Sequence, residues 1–263
     1  MPPAKKILDC KFLPGAVAAV LLTGYFFWFA GDNLRVEFTH DDLMNTYRAW
    51  LASWKSLWLD NVVFFRPTPV YRPLPEMAYK LSFLAFGFDL LPFRILLTGL
   101  LLANAFLVYL FGASISHSKL AGLIAAAVMV YHPNLMALYY DTGLCFDIFC
   151  FFFYFVSLIV YLRLRSRPTA PLALAFLLSY VCALNSKEMA VSLPVAMFFI
   201  ELLFFRLGGD YRRATLISWP FRQGKWVSIA ALMALLFILG RVLSANGLVN
   251  AGDTGSIYRS MNT

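Results

Sequence analysis

Apolar residues gathered into blocks of about twenty leave a chain little choice of fold. Each block can satisfy its own backbone only as a helix, and the length matches a lipid bilayer rather than a water-soluble core. Such blocks run at roughly 12–30, 91–112, 116–131, 143–162, 170–185, 189–205 and 226–244. The 263 residues are 61% hydrophobic and 14% charged, against about 45–50% and about 25% in soluble domains. That composition excludes a disordered chain, a coiled coil and a disulfide-stapled secreted module. The expectation is an all-α polytopic membrane protein with about seven transmembrane helices, forming a single module over 1–263.

Details within the blocks sharpen this reading. The first follows Lys5, Lys6 and Lys11 and ends in Tyr25-Phe26-Phe27-Trp28-Phe29 without a small-residue cleavage site, so it reads as an uncleaved anchor rather than a signal peptide. The third is the weakest, because its purely apolar part, Leu120 to Tyr131, is short of a crossing. Its Gly122, Ala125, Ala126 and Ala127 suit close helix packing in lipid. The cysteines, Cys10, Cys145, Cys150 and Cys182, lie in or beside apolar runs and read as reduced, buried thiols, with no zinc-type spacing among them.

The net charge of +8 sits in the loops, which favours membrane orientation over nucleic-acid binding. With the N-terminus cytoplasmic, the inner segments hold Lys5, Lys6, Lys11, Lys119, Arg163, Arg165, Arg167, Arg206, Arg212, Arg213, Arg222 and Lys225, which is 12 of the 22 basic residues. The short external turns near 132–142 and 186–188 hold only Lys187. This asymmetry follows the positive-inside rule and places most acids outside, including Asp32, Glu37, Asp41, Asp42, Asp60, Glu76, Asp89, Asp141, Glu188 and Asp253.

The segment 31–90 is too long to be a connector. Thr39 can cap a helix with Asp41 and Asp42 in its first turn. Leu43, Tyr47, Trp50, Trp54 and Trp58 then recur at spacings of 4, 3, 4 and 4, one apolar stripe suited to a helix in the membrane interface. Met77 to Leu91 reads as a second interfacial helix. The acid pair has a plain explanation, since acids in a capped first turn offset the helix dipole. Its sharper reading is a carboxylate at the water–lipid boundary that deprotonates an acceptor or holds a divalent cation. Between the helices, Phe65 to Pro75 carries four prolines in nine residues, a stiff strap bearing Arg66 and Arg72. These arginines either grip a phosphate or snorkel to lipid headgroups.

Further polar groups lie at span ends. Asp141 follows Tyr131-His132-Pro133-Asn134, and Asp147 enters the fourth span about one turn deep. Lys187 and Glu188 form the next external turn, where a local ion pair is the simplest reading. Glu201, deeper in the sixth span, is expected to pair with Arg206 or stay protonated. His117 reads as incidental, and His40 stands beside the acid pair.

The order of these features resembles the conserved seven-helix module of GT-C membrane glycosyltransferases. The motifs are the acid pair of the first loop, Tyr71-Arg72-Pro73-Leu74, His132-Pro133 after the third span, and Ser186-Lys187-Glu188-Met189-Ala190-Val191-Ser192-Leu193-Pro194. Over nearly the whole chain it is similar to protein O-mannosyltransferase-like bacterial enzymes and to transmembrane O-mannosyltransferases with tetratricopeptide repeats. The resemblance implies a polyprenyl-phosphate-linked sugar as donor, an unidentified protein or lipid-linked glycan acceptor, and inverting transfer on the external face of a bacterial inner membrane. It implies a central acid at Asp41 or Asp42, with Asp42 favoured as base and Asp41 assisting or holding a magnesium or manganese ion. Arg72, with Arg66 or Lys187, would stabilise the lipid phosphate as it leaves. Relatives with repeats commonly carry a glutamate where this chain has Ala137, so Asp141, Asp147 or Glu188 would supply a second acidic site. The polar tail 245–263 is expected outside, and the chain reads as a fragment or a minimal module. The competing expectations are a lipid-carrier flippase or transporter and a non-catalytic relative of the enzymes.

Overall fold

The computed structural model describes residues 12–62, 72–205, 219–221 and 224–243. Arg66, most of the proline strap, Cys10, the basic stretch 206–218, the tail from 244 and the side chain of His40 lie outside the described residues. Among the described residues there is no strand. Eleven α-helices are found there: α1 (Phe12–Ala30), α2 (His40–Leu51), α3 (Trp54–Val62), α4 (Pro73–Phe86), α5 (Leu91–Ser116), α6 (Lys119–Tyr131), α7 (Met136–Tyr140), α8 (Cys145–Ser166), α9 (Ala170–Ser186), α10 (Leu193–Phe204) and α11 (Lys225–Leu243).

Local chemistry sets most boundaries. Thr39 opens α2 with a capping box: its hydroxyl accepts from the Asp42 N–H, and the Asp42 carboxylate accepts from the Thr39 N–H at 2.9 Å. The expected single stripe is divided between two helices. Ala52 turns extended after α2, and Ser53 caps α3 by accepting from the Ser56 N–H at 3.1 Å. Pro73 and Pro75 start α4, where their missing N–H groups cost nothing, and Gly87 ends it at φ 63°. Pro133 stops α6 and turns the chain by 61° into the segment Pro133–Tyr140.

Three helical segments are long and apolar enough to cross a membrane: Gly15–Arg35, Leu91–Ser116 and Thr142–Ser166. The bent pair Lys119–Tyr131 and Pro133–Tyr140 makes a fourth if it counts as one span. The protein is therefore an all-α membrane protein with three or four candidate spans among the described residues. At about 1.5 Å per residue, the 13 residues of α6 and the 12 of α10 reach about 20 Å, short of a hydrocarbon core of about 30 Å. Large apolar side chains stand exposed along these helices, among them Val20, Leu96, Ile124, Leu174, Leu178 and Leu235, as lipid contact requires.

Two main clusters fill the interior. One joins α8, α9, α10 and α11 through Tyr161, Phe176, Tyr180, Leu184, Met197 and Phe237. The other gathers Phe26, Tyr79, Phe93, Leu97, Tyr139 and Ile148 below the loop helices. The small residues of α6 do what their size suggested. A Cβ on Gly122 would lie 2.5 Å from the Tyr109 carbonyl oxygen and 2.8 Å from the Ala113 nitrogen, so α6 touches the α5 backbone there. Gly99 has nothing within 4 Å of the corresponding position. Gly122→Val is expected to destabilise the protein by about 1–3 kcal/mol or more, by forcing α6 off α5. Gly99→Ala should leave the melting temperature in detergent unchanged or slightly raised.

Candidate functional site

The capping box of α2 also builds the most connected polar centre in the described residues. The Asp42 side chain is buried, with the residue 0% exposed. Its Oδ2 accepts from the Thr39 N–H and hydroxyl, each at 2.9 Å, and from the Thr142 hydroxyl; its Oδ1 accepts from the Tyr79 hydroxyl at 3.0 Å. The Tyr79 hydroxyl also lies 2.9 Å from the Thr142 carbonyl oxygen. Asp42 thus ties α2, α4 and the turn before α8 together. Burial, followed by the charges of Cys145 and Asp42, pushes the Tyr79 hydroxyl above its ordinary value and keeps it protonated as a donor.

Asp141 meets this centre from a hundred residues away. Its Oδ1 accepts from the Gly143 N–H at 2.8 Å and lies 3.4 Å from the Thr39 hydroxyl, which it shares with Asp42. Asp41 is exposed, and its Cβ lies 3.0 Å from where a Cβ on residue 143 would stand. A side chain at residue 143 would press on both Asp41 and Asp141, which would have to give by a few tenths of an ångström. Of the acids in the sequence reading, Asp42 and Asp141 thus share the Thr39 hydroxyl, and the Asp41 Cβ lies beside the same turn.

Their roles differ by exposure. Four donors already occupy Asp42, which makes it an organising carboxylate, whereas Asp41 has free access to solvent. The implied divalent cation does not fit well. Asp42 has its lone pairs engaged, and among the described residues no three His, Cys, Asp or Glu side chains converge as ligands. Asp41 alone is too thin a site.

The other expected site residues form a second group. Arg72 Nη2 donates to Glu188 Oε2 at 3.1 Å, and Lys187 Nζ lies 2.5 Å from Asp147 Oδ1. The local Lys187–Glu188 pair is not what the chain adopts: extended backbone at Lys187 sends the neighbours to partners 40 and 116 residues away. The Arg72 guanidinium stacks 4.9 Å over the Phe146 ring, whose other neighbour is Tyr79, with ring centroids 6.3 Å apart. One aromatic ring thus lies between Arg72 and Tyr79, the donor to Asp42. Glu201 is held by Tyr161 and by Arg165 at 2.5 Å, and is fully buried. Its expected partner Arg206 lies outside the described residues. His132 is exposed, its Nδ1 accepting from the Asn134 N–H at 3.3 Å.

Sequence reasoning missed Tyr79, Thr142, Arg94 and Glu76. Arg94 lies in the first turn of α5, 2% exposed, and donates to the Tyr140 carbonyl oxygen at 2.6 Å, with the charges of Asp42 and Asp141 compensating its own. An arginine just inside an apolar block was a visible signal of a buried polar centre. Tyr79, Lys80 and Glu76 share the buried face of α4 at helical spacing, which the expected interfacial helix had concealed. Lys80 Nζ donates to the carbonyls of Ala49, Trp50 and Ala52, at 3.1, 3.0 and 2.6 Å, and so closes the far end of α2.

No family model, curated protein or solved structure matches the chain. The functional reading therefore rests on this geometry and on the sequence motifs.

Burial raises the Glu76 carboxyl to about 7, with Arg48 opposing and Asp60 adding to the shift. A carboxyl at 4.5 in the unfolded chain ionises there first. Its contribution to stability is thus complete below pH 4.5 and lost as the pH rises to about 7. Melting temperatures of the wild type should fall across that window, and Glu76→Gln should flatten the decline.

Proposed function

We propose that the chain is a membrane glycosyltransferase that moves a sugar from a polyprenyl-phosphate carrier to an acceptor on the external face, with inversion. What supports this reading is one juxtaposition: the acid centre, beside the exposed Asp41, lies one aromatic ring away from Arg72, with the Lys187–Asp147 pair on the residue next to that ring. Acid and cation answer the two charge changes that such a transfer needs. The acceptor hydroxyl attacks the anomeric carbon and loses its proton to a carboxylate. The bond from that carbon to the phosphate oxygen breaks, and its electron pair stays on the phosphate, where Arg72 and Lys187 would stabilise the added negative charge.

The accessible Asp41 takes the proton in this scheme. Asp42 holds α2 against α4 and the 141–142 turn, and Asp141 shares the Thr39 hydroxyl as the second acid. Arg66, on the strap, belongs to the same proposal as a further phosphate contact. No nucleophilic serine or cysteine is required. The reading carries seven spans, α1, α5, α6 with α7, α8, α9, α10 and α11, with the N-terminus cytoplasmic and the exposed aromatic faces of α2 and α3 in the membrane interface. A bacterial inner membrane is the setting that the motifs imply.

Binding of plain polyprenyl phosphate, the product common to any sugar, tests the donor site without knowledge of the substrate. Native mass spectrometry should detect it on the full chain, and Arg72→Ala should weaken it about tenfold or more. A well-folded wild type that binds none overturns the reading. With a panel of polyprenyl-phosphate sugars, Asp41→Asn should lower transfer by about 10²-fold or more while carrier binding persists. Indifference of transfer to that change would remove Asp41 from the chemistry. Asp42→Asn should lower both transfer and melting temperature, because it disturbs the organising centre.

A further inference from the structure

Between α1 and α6 runs an apolar groove of about 600 Å³, walled by Val20, Gly24, Tyr25 and Phe29 of α1 and by Leu123 and Ala127 of α6. Its size is that of a ligand site. The segment Gly15–Arg35, which supplies the α1 wall, is long and apolar enough to cross a membrane, and Val20 and Trp28 in that wall are 71% and 83% exposed. The groove therefore opens onto hydrocarbon rather than water. At Gly24 no atom lies within 4 Å of where a Cβ would stand. Gly122 is small because the α5 backbone presses on it, whereas Gly24 borders open space, and that space is the groove.

The two ends of the groove differ in polarity. Of its lining side chains, only Tyr25 and Trp28 carry a hydrogen-bonding group, and both lie in the last two turns of α1. There the Phe29 ring meets Tyr25 and Tyr131, with centroids 4.9 and 5.1 Å away. The Phe29 carbonyl oxygen accepts from the Tyr140 hydroxyl at 3.1 Å, and the residue after Tyr140 is Asp141, whose Oδ1 stands 3.4 Å from the Thr39 hydroxyl. One tyrosine thus connects the wall of the groove to the acid centre. The cation pairs are built on the start of α4, on α8 and on the segment after α9, so the groove shares no helix with them.

Resting on the glycosyltransferase reading above, we propose that the acceptor is lipid-linked, with its hydrocarbon chain in the α1–α6 groove and its hydroxyl-bearing head group at Asp141 and Asp41. Carrier and acceptor then approach the acid centre along different helices. A peptide in water reaches the exposed Asp41 without any seat in the bilayer. An amphiphile needs its chain in hydrocarbon and its head at a carboxylate. A groove that is apolar along α1, polar at Tyr25 and Trp28 and joined to Asp141 supplies both. The transfer keeps its balance: an oxygen of the head group forms the bond to the anomeric carbon, its proton passes to Asp41, and the carrier phosphate leaves with the electron pair of the broken bond.

The full chain in lipid nanodiscs, irradiated with a trace of diazirine-bearing dodecyl glucoside and mapped by peptide mass spectrometry, tests the groove without turnover. Labels should concentrate on α1 and α6, and Gly24→Phe, shown by melting to be folded, should lower them about tenfold by filling the space. Labels spread evenly over the lipid-facing helices, or unmoved by Gly24→Phe, overturn the groove. Disulfide-linked dimers formed through Gly24→Cys would give this face to a second copy and overturn it as well. With the panel of polyprenyl-phosphate sugars, dodecyl glucoside should accept about tenfold better than methyl glucoside, and Gly24→Phe should erase that advantage. Equal use of the two glucosides, or better use of a serine-bearing peptide, overturns the lipid-linked acceptor. Plain polyprenyl phosphate separates the two failures. If it binds while labelling is diffuse, the donor reading stands and this inference falls; if none binds, the enzyme reading falls and takes the acceptor with it, whatever the labels show.

Discussion

A carboxylate with no exposed surface must find donors for its oxygens or give up its charge, and the fold around Asp42 is arranged to supply them. The donors come from three separate places: the Thr39 cap of its own helix, the Tyr79 hydroxyl of α4 and the Thr142 hydroxyl of the turn before α8. One side chain thereby fixes the loop helices against the span entrance. Lys80, the neighbour of Tyr79, binds the carbonyls at the opposite end of α2, so α4 grips that helix at both ends. The exposed face of α2 is left to the aromatic side chains Tyr47 and Trp50. The same grip fixes the backbone of Asp41, the neighbour of Asp42, which stays exposed.

The bilayer imposes the second constraint. Three long apolar segments meet it directly, while α6 meets it only in combination with the bent segment after Pro133. That break brings Asp141 into the polar centre. A straight helix through residues 132–141 would carry the carboxylate away from Thr39. The turn of 61° at the proline instead returns the chain over the entrance of α5 and α8. Tyr139 and Tyr140 anchor it there, through Phe26 and the Phe29 carbonyl oxygen. The weakest apolar block in the sequence thus coincides with the place where the chain folds back to assemble the site.

What could be read in advance was whatever depended on near neighbours. The Thr39–Asp42 cap, the packing role of Gly122 and the extents of α5, α8 and α9 all follow from spacing within a turn or from unbroken apolar runs. The helix break at Ser53 was equally local, as Ser53 with Ser56 three residues later, but the tryptophan period ran across it and hid the cap. Longer reach defeated the sequence. Lys187 and Glu188 are adjacent and of opposite charge, which invites a local pair, yet alternate side chains of an extended residue point to opposite sides. Asp141 could be named as a candidate, but its contact with the Thr39 hydroxyl spans 102 residues and leaves no periodic trace. Arg94 and Tyr79 were visible as polar residues on apolar faces, and only the missing partner kept them from being read as site residues.

Both ends of the helical bundle pair opposite charges, but they differ in how far the carboxylate is buried: Glu201 is 0% exposed, Glu188 and Asp147 39% and 23%. Near the ends of α8 and α10, Arg165 covers Glu201 and itself stacks 3.9 Å from the Phe205 ring, so the pair is sealed on one side by an aromatic face. Around Phe146 the aromatic ring lies under Arg72 and leaves the ion pairs partly open. The same residue types therefore make a pair around a fully buried carboxylate at one end and pairs with partly exposed carboxylates at the other. The distinction lies in the carboxylates, since Arg165, Arg72 and Lys187 are exposed to similar extents, and a carboxylate with water at its edge costs less to separate from its partner than one with none. At the Phe146 end the carboxylates remain reachable and the organised Asp42 stands beside them, which is why the candidate site is placed there.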